Sequence, residues 1–194
     1  MNDDAEKIKR REAILKTNKN IRAIFERASE LEVPHWYLGA GCIAQTVWNS
    51  LHGFDPDYGI KDYDLVYFDD ADLSYDAEDK YIQKGKKMFA DIGREVEIRN
   101  QARVHLWYEQ HFGYAIVPYH SVEEGIKTFP TTATAIGVRH SANGFEVYAP
   151  FGLDDMFAMI VRPNKRQITE AIYRAKADFW KKIWPQLIII SWNE

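Results

Sequence analysis

Apolar residues recur along this 194-residue chain with two different periods, and the changes between them mark out its elements. Ile21, Ile24, Phe25, Ala28 and Leu31 follow helical spacing, which predicts a helix over residues 5–32 with Lys and Arg on its solvated face and Pro34 as its stop. His35-Trp36-Tyr37-Leu38 is a short strand leading into Gly39-Ala40-Gly41. A second helix follows, burying Ala44, Val47, Trp48 and Leu51 and stopping at Gly53. After a turn-rich loop, Phe54 to Ile60, the run Leu65-Val66-Tyr67-Phe68 has strand composition. Ser74 caps a helix over 75–92, with Asp76, Glu78 and Asp79 in its first turn, Lys84, Lys86 and Lys87 later, and Gly93 as its end. From Arg94 to Trp107 the period becomes two. Val96, Ile98, Ala102, Val104 and Leu106 mark one face, and Glu95, Glu97, Arg99, Gln101, Arg103, His105 and Trp107 the other. This predicts a long strand, with a bulge or a first end near Asn100-Gln101.

The second half mixes shorter elements. Tyr114 to Val117 reads as a short strand or buried run, Val122 to Lys127 as a helical turn opened by Ser121, and Thr131 to Val138 as a Thr-rich strand. Asn143-Gly144 is a tight-turn signal that pairs Phe145–Tyr148 back as a hairpin. Asp154 caps a helix over Met156–Val161, and a last helix over residues 166–183 carries Ile168, Ile172, Ala175, Phe179 and Ile183 as its apolar stripe. Strands and helices are mixed rather than strictly alternating, which makes the class α+β. With no internal repeat or linker, residues 1–194 read as one domain: the N-terminal helix 5–32, a core of about 36–150, and C-terminal helices of about 153–186.

Charge and cysteine content narrow the setting. A net charge of −4 gives no basic footprint and argues against long nucleic acid as the main partner. Cys42 is the only cysteine, so no intramolecular disulfide forms, and a cytoplasmic location fits. The N-terminal residues have no apolar signal core, and the longest apolar run, Leu187 to Ile190, is far too short to span a bilayer, so no membrane role is expected.

The candidate chemistry lies between Leu38 and Phe68. Asp62 and Asp64 alternate along the predicted strand and so face the same side near its start. Two carboxylates that close repel unless a cation sits between them, and hard oxygen donors suit Mg2+. Gly39, Ala40 and Gly41 open a helix, where free N–H groups and the helix dipole favour a phosphate. If the strand after Arg94 lies beside Asp62–Phe68, Glu97 either joins the two aspartates or pairs on a solvent surface with Arg99 or Arg103. Spacing leaves both readings open. Lys61, Arg103 and His105 are candidate phosphate or acceptor contacts, while Asp69, Asp70 and Asp72 read as loop and capping residues.

The Gly39-Ala40-Gly41 turn, a helix, and then Asp62-Tyr63-Asp64-Leu65 resemble the signature of the polymerase-β-like nucleotidyltransferase superfamily. Further runs are similar to a bacterial nucleotidyltransferase family once classed as a domain of unknown function. These include Trp48-Asn49, Lys61-Asp62-Tyr63-Asp64, Asn100 through Trp107, Thr132-Ala133-Thr134, Ala149 through Leu153, and Arg162-Pro163-Asn164. The resemblance implies a short mixed sheet with flanking helices, Asp62 and Asp64 as ligands of Mg2+ (or Mn2+), and Glu97 as the third acid. It implies transfer of a nucleoside monophosphate from a nucleoside triphosphate to an unknown hydroxyl acceptor, releasing pyrophosphate. Three other readings use the same residues: an inactive nucleotide- or RNA-binding module, metal-dependent phosphate hydrolysis, and a purely structural turn with strand-capping acids.

Overall fold

The computed structural model describes residues 3–141 and 144–194. Its centre is a five-stranded sheet in the order β3-β2-β1-β4-β5. The strands are β1 (Tyr37–Gly39), β2 (Asp62–Tyr67), β3 (Glu95–Asn100), β4 (Gly137–Ser141) and β5 (Gly144–Tyr148). β2 and β3 pair in parallel and the other neighbours are antiparallel, so the sheet is mixed. All three residues of β1 are buried, as befits a central strand. Gly39 is required there because a Cβ would come within 2.6 Å of the Ile136 carbonyl oxygen on the neighbouring chain segment. Asn143 of the expected tight turn lies outside the described residues, but β4 and β5 form the expected antiparallel pair, with Ser141 opposite Gly144.

Helices cover the sheet: α1 (Asp3–Leu15), α2 (Lys19–Arg27), α3 (Gly41–His52), α4 (Tyr75–Met88), α5 (Val104–Phe112), α6 (Val122–Ile126), α7 (Asp154–Phe157) and α8 (Glu170–Ile183). The main core joins α2 and α3 to the Tyr63, Leu65 and Tyr67 face of β2 and to Trp180 and Trp184 at the end of the chain. Trp48 and Trp184 are fully buried, their rings edge-to-face at 5.6 Å. Burying each large ring stabilises the fold by roughly 2–3 kcal/mol. A smaller cluster on the opposite face packs Val122 and Ile126 of α6 against Tyr37 and Val66.

Several sequence expectations change, in bounds or in kind. The helix expected over 5–32 breaks at Asn18, whose side-chain oxygen accepts from the Asn20 and Ile21 N–H groups and restarts the chain as α2. Its amide donates to Thr46, the Pro56 carbonyl and the Tyr63 hydroxyl, so tertiary partners fix the break. The long strand over 94–107 ends at Asn100, whose side chain accepts from the Ala102 N–H and turns the chain through Gln101–Arg103 into α5. The helix expected over 156–161 is replaced by α7 and a two-residue strand, β6 (Ile160–Val161), which pairs in parallel with β7 (Ile188–Ile189). Finally, α8 begins only at Thr169, its N-cap, and buries Tyr173, Ala177 and Trp180 rather than the predicted stripe. The Tyr114–Val117 run forms no strand, and Thr131 to Thr134 is a hydrogen-bonded turn ahead of β4.

Candidate active site

Asp62 and Asp64 stand on one face of β2, because Tyr63 and Leu65 between and after them are fully buried on the other. In the parallel pairing Asp64 lies opposite Glu97, and Asp62 opposite Glu95. The β1 register places Gly39 opposite Asp64 on the other side. Consecutive strands therefore bring the glycine turn, the aspartates and Glu97 to one level of the sheet. They line a cleft of about 430 Å3 together with Ala40, Gly41, Gln45, Lys61, Thr134, Lys176 and Phe179.

The turn itself is unusual. Ala40, the N-cap residue of α3, has φ 58° and ψ −139°, a backbone conformation that favours glycine, and its N–H donates to the Ile136 carbonyl at 3.0 Å. α2, α4 and α8 carry side-chain caps from Asn18, Ser74 and Thr169, whereas α3 has none. Ala40 and Gly41, at the positive end of this twelve-residue helix, line the cleft, and the N-cap residue supplies no side-chain acceptor to the first N–H groups. Cys42, just inside that helix, is buried and free; its thiol lies 3.1 Å from the Gly39 carbonyl.

Burial and neighbouring charge both disfavour the ionised aspartates. Burial, then the charges of Asp62 and Glu97, push the Asp64 carboxyl up to about 7; Lys176 and Arg99 act in the opposite sense. Asp62 is also raised, by burial first and by Glu97 second, with Lys176 and Lys61 opposing. Such uncompensated carboxylates invite a cation of higher charge. Glu97 lines the same cleft, but its carboxylate is already paired. Its Oε1 accepts from Arg99 at 2.7 Å and 2.6 Å. Among the described residues no group of three His, Cys, Asp or Glu side chains is already gathered as a metal cage.

The other candidates separate into two sets. Lys61 lines the cleft with its ammonium 4.0 Å over the Phe179 ring. Arg103 does not reach the cleft. It is buried in an ion pair with Glu78 and donates to the Leu73 carbonyl at 2.9 Å. His105 lies on α5, half-buried, with Nδ1 making no hydrogen bond. Both were expected along the cleft from a strand that stops at Asn100. Two cleft residues had no signal in the motif region: Lys176 and Phe179, more than a hundred residues downstream on α8. Phe179 is 37% exposed at the cleft wall, with the Lys61 ammonium over its ring. The only hint in the sequence is that Lys176 and Phe179 are one helical turn apart.

No helix of the described residues is long and apolar enough to cross a membrane. Comparison with curated proteins gives no match. Among solved structures, an NMR structure described as revealing a CCA-adding enzyme head domain matches with a TM-score of 0.75 at 26% identity, covering 92% of this chain and 94% of that one. The family described as nucleotidyltransferase matches residues 26–189, which include every residue of the cleft. This protein belongs to the nucleotidyltransferase family.

Proposed function

We propose that this protein transfers a nucleoside monophosphate from a nucleoside triphosphate to a hydroxyl acceptor, with a divalent metal ion and release of pyrophosphate. The observation that carries the reading is the shared level of the Gly39–Gly41 turn, Asp62, Asp64 and Glu97 at one cleft. The donor set is all carboxylate oxygen, with two acids raised by burial and then by neighbouring negative charge, which suits Mg2+ or Mn2+. Asp62 and Asp64 would hold that ion, with Glu97 completing the set once it leaves Arg99. When bound, the ion supplies Lewis-acid charge that polarises the phosphoryl oxygens.

The chain's own groups account for the remaining requirements. N–H groups at the start of α3 receive the outer phosphates. Lys61 and Lys176 neutralise charge from the opposite wall. Phe179 offers a face on which a base can stack. The acceptor oxygen attacks the α-phosphorus, the bond to the bridging oxygen breaks, and pyrophosphate departs with that electron pair. Glu97, where it does not complete the metal set, takes the hydroxyl proton. N–H groups and lysines aimed at the developing charge lower the barrier because they are placed before the reaction begins.

A second reading, a nucleotide- or RNA-binding module without chemistry, is favoured by one feature: Glu97 is committed to Arg99. Calorimetric titration of each nucleoside triphosphate, with and without Mg2+, separates the readings when followed by incubation with α-labelled nucleotide and candidate acceptors. The likeness to a CCA-adding enzyme head domain makes an RNA 3′ end the first acceptor to try. Magnesium-dependent binding with label transfer supports the enzyme; binding without transfer to any acceptor supports the module.

A further inference from the structure

The Trp48-Asn49 pair on α3 has no part in the chemistry above, yet Asn49 is fully buried and its amide is committed on three sides. Its Nδ2 donates to the carbonyls of Pro56 at 3.1 Å and Tyr58 at 2.8 Å, and its Oδ1 accepts from the Trp184 indole N–H at 2.6 Å. Pro56 and Tyr58 belong to the loop that runs directly into Lys61 and Asp62. Trp184 caps the C-terminal end of α8, the helix that carries Lys176 and Phe179. α3 itself begins at the phosphate-facing turn. One side chain therefore ties together three walls of the cleft.

The joint has little slack. A Cβ on Gly59 would meet Ile183 at 2.6 Å and Trp184 at 3.1 Å, so loop and helix end are already in contact. Trp48 stacks edge-on to both Trp180 and Trp184, at 5.7 and 5.6 Å. α8 is held besides by buried Tyr173, Ala177 and Trp180, and the Tyr173 hydroxyl lies within hydrogen-bond distance of the carbonyls of Val161 and Ile190. The product of the joint is visible at the cleft wall, where Lys61 of the loop lies against Phe179 of α8.

We infer that Asn49 is a positioning residue that sets the spacing of the triphosphate cleft by locking the Lys61 loop and α8 to α3. This rests on the reading of the cleft as a triphosphate site. A misplacement of about 1 Å in such a wall weakens binding of a rigid, multiply charged ligand far more than it weakens the fold. Asn49→Asp keeps the acceptor for Trp184 but loses both amide donors; Asn49→Leu keeps the volume and loses all three bonds.

The test uses the full chain, with Mg2+ and each nucleoside triphosphate in turn, followed by calorimetry and by the indole N–H resonance of Trp184. Wild type should bind one or more triphosphates and shift the Trp184 resonance, although that ring is buried away from the ligand. Asn49→Asp should weaken binding about tenfold, with Trp184 still hydrogen-bonded, and Asn49→Leu should weaken it further and abolish the Trp184 response. If both variants fold and bind as wild type does, or if they only melt earlier with unchanged affinity, Asn49 is structural and the inference is overturned. Failure of the wild type to bind any triphosphate, with Asp62→Asn equally silent, overturns the triphosphate reading itself and the inference with it.

Discussion

Two acidic groups flank the same pair of strands and have been treated in opposite ways. Glu78, on α4, is 2% exposed and satisfied in full: one oxygen accepts from the Asn100 N–H at 2.8 Å and the other pairs with buried Arg103. Asp62, Asp64 and Glu97, on the cleft side of β2 and β3, share no such partner. Glu97 alone has an arginine, and both aspartates are raised, by burial first and then by neighbouring acids. A charge that serves the fold arrives with its counter-charge, because an unpaired buried ion costs several kcal/mol. A charge that awaits a ligand is left partly exposed and uncompensated, and the protein carries the cost until the ligand arrives.

Asp62→Asn or Asp64→Asn should give the largest effect, a loss of metal-dependent nucleotidyl transfer of roughly a thousandfold or more, on the scale of removing a principal transition-state contact. Rates with α-labelled nucleotide would measure it, with melting temperatures equal to or above wild type because a repulsive charge has gone. Glu78→Ala should do the reverse. It leaves Arg103 buried and unpaired, lowering stability by about 3–5 kcal/mol in a denaturant titration, while nucleotide affinity of the folded fraction stays unchanged.

The pH dependence is smaller but has a definite sign. Asp64 titrates near 7, above the ordinary carboxylate range of its unfolded form, so between those values the native state binds more protons than the unfolded state. The stability of the metal-free protein should therefore fall as pH rises from about 4 to 7, and this slope should flatten in Asp64→Asn. Metal affinity should run the other way, with Mn2+ binding followed by electron paramagnetic resonance weakening as pH is lowered from 8 to 6, because the proton competes for Asp64. The smallest effect is expected from Arg99→Ala. That partly exposed pair contributes at most about 1 kcal/mol, so stability should hardly move. Mn2+ affinity should change no more than severalfold, and that change would reveal how firmly Arg99 keeps Glu97 from the aspartates.

The sequence was readable wherever local rules decide. Alternation put Asp62 and Asp64 on one face, and the same alternation, run along the next strand, set Glu97 opposite Asp64. It failed one residue past Asn100, where a side chain that accepts from its own backbone turned the strand into a helix and carried Arg103 and His105 out of the cleft. Alternation over Val104–Trp107 was coincidence, since helix and strand templates both fit four residues. The last helix failed differently. Ile172, Ala175, Phe179 and Ile183 do share a face, of which Ala175 and Phe179 border the cleft, while Tyr173, Ala177 and Trp180 form the buried one. Two apolar stripes on one helix are indistinguishable until a partner is known, which is why Lys176 and Phe179 had no place in a site read from the motif alone.

The order of the elements has a consequence in time. β2, α4 and β3 are consecutive, so the acid cluster is encoded wholly between residues 62 and 97, whereas its main opposing cation, Lys176, follows 79 residues after Glu97 (176 − 97). At ordinary translation rates that interval is roughly 4–16 s. A nascent chain therefore carries its three acids before α8, with Lys176 and Phe179, has been made.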